Sequence, residues 1–165
     1  MSALLLLTAC SPSLDWREVR PQGSGATLLM PCRPASHARE LALAGARVKL
    51  TLHACEAAGS TWAVAWGDVG DPARVGTALQ ELRQSVLANL GGGSPAALQL
   101  QVPGGTPSPQ GGVFEVAGRL PDGQAVRGRL ALAALGTRVL QFTALGPKPD
   151  AAALDTYTQS LRLAP

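Results

Sequence analysis

The chain has 165 residues, 46 % of them apolar, enough to bury a sizeable core and too many for an intrinsically disordered tail. Fourteen basic and eleven acidic residues leave a net charge of +3, an excess too small to indicate nucleic-acid binding. No apolar run approaches the ~20 residues of a spanning helix, which excludes a multi-pass membrane protein, and the three cysteines are an odd number that needs explaining.

Residues 3–9 are a short apolar stretch that ends in small side chains immediately before Cys10. This is too short for a stable membrane anchor and fits the apolar part of a secretory signal. Leu7-Thr8-Ala9-Cys10 resembles the lipobox of bacterial lipoproteins, although Met1 and Ser2 lack the basic start that such leaders carry. The resemblance implies that residues 1–9 are a signal peptide, that Cys10 receives a diacylglycerol, and that the new amino terminus is acylated. Several acyl chains hold a protein firmly where one holds it marginally. Ser11, in the place where some bacteria put a retention Asp, implies the outer membrane, with the protein facing the periplasm.

Residues 10–25 are polar, with Pro12, Pro21, Gly23 and Gly25, and read as a lipidated tether, with Leu14 and Trp16 able to dock as a short first strand. Residues 26–165 are expected to form a single domain. Setting Cys10 aside leaves Cys32 and Cys55, and in an exported chain a disulfide is the default for such a pair. A zinc site built from both cysteines with His37 and His53 is the sharper alternative, but its spacing matches no common finger and Cys-x-x-Cys is absent.

Thr27–Met30 is a short apolar strand ended by Pro31. Arg39–Leu43 and Arg47–Ala54 flank Ala44-Gly45-Ala46, a hairpin signature, with Val48, Leu50 and Leu52 on one face of the second arm. Ser60–Asp68 is the next strand. It carries Trp62, Val64 and Trp66 on one face and small Ala63 and Ala65 on the other, where a helix could lie close. The two tryptophans are candidates for a ligand platform or for the core. The period then changes. Asp71-Pro72 is a helix start, Val75, Leu79, Leu82, Val86 and Leu90 recur at helical spacing, and Gly91 is the stop.

A short strand over 97–102 and a Pro/Gly-rich loop at a solvent edge over 103–112 are expected next. Val113–Leu120, Gln124–Ala134 and Arg138–Leu145 are three further strands. The Pro121-Asp122-Gly123 connection suits a three-residue hairpin loop and places Ala117 opposite Arg127 and Glu115 opposite Arg129. Phe114, Val116, Val126, Leu130 and Leu132 then share one face, and Arg119, Arg127 and Arg129 share the other with Glu115. Asp150 caps a second helix, Ala151–Leu161, with Leu154, Tyr157 and Leu161 inward.

Strands joined by short turns make an α+β domain: an antiparallel sheet of about six to seven strands packed with two helices. The strand-to-helix run Gly67-Asp68-Val69-Gly70-Asp71-Pro72 and the closing helix with Ser160-Leu161-Arg162-Leu163 resemble the PsbP-like group. That group includes DcrB-like bacterial lipoproteins and a eukaryotic Ran-binding relative. The resemblance is one of element order over residues 26–163, and it implies an accessory or assembly role.

Three function classes follow. The favoured one is a membrane-tethered, non-enzymatic module that binds an envelope protein, with Arg119, Arg127 and Arg129 as a candidate patch for an acidic partner. Small-ligand carriage by Trp62 or Trp66 is the alternative. A hydrolase would draw on His37, His53, Glu56, Asp68 and Asp71, but no Gly-x-Ser-x-Gly occurs and Asp71 is already committed as a cap. Nothing in the sequence calls for a cofactor or a resident metal.

Overall fold

The computed structural model describes residues 14–165; Cys10 and the leader before it lie outside that range. Ten strands are arranged in two sheets with two helices. The large sheet is antiparallel throughout and contains β3 (Ala35–Leu43), β4 (Ala46–Ala57), β5 (Ser60–Asp68), β6 (Ala96–Leu98), β7 (Gly112–Arg119), β8 (Ala125–Leu135) and β9 (Arg138–Gly146). Their spatial order is β3-β4-β5-β9-β8-β7-β6. The small sheet has the order β1-β2-β10, from β1 (Arg17–Val19), β2 (Ala26–Met30) and β10 (Arg162–Leu163). This is the α+β architecture expected, with seven strands in the main sheet.

Short turns set the registers. Ala44 and Gly45 both have positive φ, at 48° and 72°, the geometry of the two-residue hairpin turn whose twist matches that of its strands. Between β7 and β8, Gly123 at φ 87° closes the loop, and the Leu120 N–H donates to the Gln124 carbonyl at 2.9 Å. Glu115 pairs with Arg129 and Ala117 with Arg127, the register that the loop length predicts.

α1 (Val75–Asn89) follows a single 3-10 turn, Pro72–Arg74, whose cap Asp71 accepts the Ala73 N–H at 2.9 Å. It ends where the Gly91 and Gly92 N–H groups donate back to the Ala88 and Leu87 carbonyls, an ending that needs the positive φ of Gly91. Val75, Leu79, Leu82, Val86 and Leu90 are all buried, as their spacing predicts. α2 (Ala151–Ser160) starts at Asp150, which accepts the Ala153 N–H at 2.8 Å.

The sheet separates two cores because strand residues alternate between faces. On one face α1 packs with Leu79, Leu82 and Val86 against Phe114, Val116, Leu130, Leu132 and Val139. On the other, α2 and the small sheet cover Trp62, Val64, Ala131, Ala133, Leu140 and Phe142. Trp62 is 1 % exposed and lies edge-to-face with Trp16 and Tyr157, at ring centroid separations of 5.9 and 5.3 Å. The Tyr157 hydroxyl donates to the Ala63 carbonyl at 2.6 Å, tying α2 to β5.

Three expectations are corrected. Residues 14–25 are not tether: β1 pairs with β2, and Trp16 joins the core, so the folded unit begins upstream of residue 26. The strand expected over 97–102 covers only Ala96–Leu98, after which the chain leaves the sheet. The loop after it is not a free solvent edge. Val102 is buried, Thr106 bridges to Ala134, and Leu163 donates its N–H to the Pro103 carbonyl.

Cys32 and Cys55 form a disulfide across 23 residues, and constraining a loop of that size contributes roughly 3 kcal/mol through the unfolded chain. Gly118 has another structural task. A side chain there would run into the Leu90 backbone at the end of α1, where the Arg119 N–H donates to the Leu90 carbonyl at 2.9 Å. Because the obstacle is backbone, Gly118→Ala is expected to cost about 1–3 kcal/mol, read as a lower urea midpoint with an unchanged m-value.

Candidate functional site

The residues singled out as catalytic candidates do not converge. His37 pairs with Leu52 and His53 with Ser36, which puts the two imidazoles on opposite faces of the sheet. Glu56 is exposed beside the β4–β5 turn. Asp68 accepts the Gly70 N–H at 2.8 Å, and the Thr137 hydroxyl, that N–H and Arg138 together hold its carboxyl below the usual range. Asp71 is spent on the cap of the 3-10 turn. The zinc alternative fails for the same reason: both cysteines are bridged and the histidines face apart. Among the described residues no group of three or more His, Cys, Asp or Glu side chains is gathered.

The aromatic and basic candidates are likewise redistributed. Trp62 is enclosed in the core and cannot be a ligand platform. Trp66 is half-buried, its ring against Gly23, with Nε1 enclosed and lacking an acceptor among the described residues. Arg129 is held by Asp155 at 3.1 Å and lies 3.6 Å from Glu115, which leaves its side chain 13 % exposed. Arg119 donates to the Gly123 carbonyl within its own hairpin. Of the three arginines, only Arg129 meets carboxylates among the described residues, so Arg119 and Arg127 keep their charge on that face.

What sequence reasoning missed is the overhang of the β3–β4 hairpin. The layer of α2 and the small sheet covers β5, β9 and β8, while α1 lies over β9, β8 and β7. β3 therefore has solvent on both faces over most of its length: Ala35 to Glu40 are all exposed. Its outer edge has no neighbour in the sheet among the described residues.

Between the hairpin and the flank of α1 runs a groove of about 520 Å³. Leu50, Leu52 and Ala65 form its floor. Leu52 and Ala65 are cross-strand partners, and Ala65 in turn pairs with Gln141. The small Ala65, expected to admit a close helix, instead lies at the bottom of this opening. Leu41 and Leu43 line the strand side, and Leu82, Ser85, Val86 and Asn89 the helix side. One end is drawn shut where the Ala44 N–H donates to a Glu81 carboxylate oxygen at 2.8 Å. Arg39 and His37 stand at the other end.

No protein-family model, curated protein or solved structure matches the chain. The site is therefore read from its own geometry.

Burial pushes the His53 pKa below its ordinary 6.5. The unfolded chain thus takes up its proton first as the pH falls. The stability associated with neutral His53 is present above the ordinary histidine range, falls as the pH passes through that range, and levels off below the native pKa. Denaturant midpoints measured between about pH 7.5 and pH 5 are expected to decline, and His53→Gln is expected to flatten that decline.

Proposed function

We propose that the protein is a lipid-anchored accessory module of the bacterial envelope, facing the periplasm from the outer membrane, which binds a protein partner and performs no catalysis. The observation that carries this reading is the free edge of the seven-stranded sheet. β3 is nine residues long, exposed from Ala35 to Glu40, and hydrogen-bonded to β4 alone among the described residues. A strand in that position offers a row of backbone donors and acceptors to an incoming extended segment. Arg39 and Glu40 point to opposite faces and give that segment one charge to match on each side.

The two strand edges of the main sheet are not equivalent. β6 at the far edge has three residues, too few for a docked strand to gain much, whereas β3 has three times that length. The dispersal of His37, His53, Glu56, Asp68 and Asp71 favours binding over catalysis, because a general base has no nucleophile or orienting group within reach. The lipobox resemblance at Leu7–Cys10 supplies the anchor. The remaining tether is short, since the folded unit already includes Trp16.

Photo-crosslinking amino acids placed at Ala38 and Ala42 in the native host are expected to capture one discrete envelope protein. The same probe at Ala125, on the opposite half of the sheet, is expected to capture none. Equal products from all three positions, or none from β3, would contradict the reading. Separately, metabolic labelling with a palmitate analogue is expected in the membrane fraction and to disappear in Cys10→Ser. Persistent labelling of that variant would rule out the proposed anchor.

A further inference from the structure

We propose that the groove between α1 and the β3–β4 hairpin binds a single-chain aliphatic carboxylate, its tail against the leucines and its head at Arg39. This goes beyond the edge-strand reading, because it uses the inner face of the hairpin and not its outer edge.

Polarity is unevenly distributed around the groove. Along β3 the side chains facing α1 run Leu43, Leu41, Arg39, His37, a change from aliphatic to cationic over six residues, about 20 Å of strand. The helix side runs in the same sense from Glu81 past Ser85 to Asn89, about 12 Å by helical rise. The Leu43 end is bridged to α1 by the Glu81–Ala44 hydrogen bond, while Leu50 and Leu52 lie directly across from Arg39 and His37 on the floor. A groove with an aliphatic floor and a cationic rim fits a molecule with one apolar tail and one anionic head.

The sign of the head group follows from the charges. Arg39 makes no ion pair among the described residues, and Glu40 beside it in sequence faces the other side of the sheet, towards Arg47 at 3.6 Å. The one carboxylate in the groove, Glu81, sits at the closed end and already accepts the Ala44 N–H, so it repels an anionic head from that end and leaves the Arg39 end favoured. A guanidinium matches a carboxylate with two parallel donors, and His37 and Asn89 stand beside it as further polar groups.

Size and surface agree. The volume of about 520 Å³ falls within the ~300–1,000 Å³ typical of small-molecule sites. Leu41, Leu50 and Leu52 are only half-buried in the free protein, and a tail laid over them removes that apolar surface from water. The small side chain of Ala65 leaves depth at the floor.

The test uses the full chain and monomeric dodecanoate, with dodecanol and dodecyltrimethylammonium as head-group controls. Methyl NMR shifts are expected to saturate at Leu41, Leu50, Leu52 and Ala65, with dodecanoate tighter than either control. Arg39→Glu is expected to weaken dodecanoate at least tenfold while leaving dodecanol unchanged, and Arg39→Lys to recover most of the affinity. The wild-type shift map decides the matter even if a variant unfolds. Absence of saturable shifts, shifts outside the groove, equal affinity for the cationic control, or binding to phospholipid vesicles but not to monomeric dodecanoate would each overturn the proposal. None of these outcomes bears on crosslinking from the outer edge of β3.

Discussion

The indole of Trp62 holds the molecule together. It lies edge-to-face with Trp16 from the amino-terminal segment and with Tyr157 from α2, while its own Nε1 donates to the Ala57 carbonyl at 3.2 Å. Three stretches far apart in the chain thus meet on one side chain of β5. Aromatic pairs of this geometry contribute about 0.5–1.5 kcal/mol each beyond the area they bury. Losing a buried tryptophan altogether costs on the order of 3–5 kcal/mol, a large share of the stability of a domain this size. The Tyr157 hydroxyl bond to Ala63 adds direction, since a buried phenol without an acceptor is costly. Burial pushes the Tyr157 pKa upward, so that hydroxyl stays a donor across the physiological range.

This arrangement places the packed half of the sheet around β5, β9 and β8 and leaves the other half bare. Two covering layers are anchored at Trp62 and over β8, and of β3 they reach only the hairpin end, where Leu43 is buried in the α1 cluster. The hairpin is kept in line by its ladder to β5, by the disulfide at its base, and by the Glu81 bond at its tip. A long strand with both faces wet and one edge unpaired is a hazard in a soluble protein unless it is used. Like charges also discourage self-pairing: two β3 strands in antiparallel register centred on Arg39 or on Glu40 would set those residues against their own copies. The edge is therefore better suited to a different chain than to a second copy.

Much of the fold was legible because local rules and global packing agreed. The stripe from Val75 to Leu90 could only be a helix, and the three-residue loop before Gln124 allowed one register consistent with Phe114, Val116 and Leu130 sharing a face. The misses have physical reasons. Residues 14–25 are polar and rich in turn formers and so read as tether, and only Leu14 and Trp16 pointed to the short first strand that Arg17–Val19 forms with β2. Ala35–Ala38 show no alternation because both faces are exposed, so the strand looked shorter than it is. The site was hidden for a subtler reason. Leu41, Leu50 and Leu52 have the pattern of core residues, and only the position of α1, one strand further in, leaves them half-covered. Trp62 invited a functional reading and turned out to be structural; Arg129 did too, until Asp155 from a distant helix neutralised it.

On the proposed reading, one half of the molecule is scaffold and the β3–β4 hairpin is its working surface. Amide hydrogen exchange, compared between the purified protein and the protein in isolated native envelopes, is expected to show new protection confined to Ala35–Leu43 and its hairpin partner, with β5, β8 and β9 slow in both states. Unchanged exchange in β3, or new protection centred on β7 and α2, would contradict it.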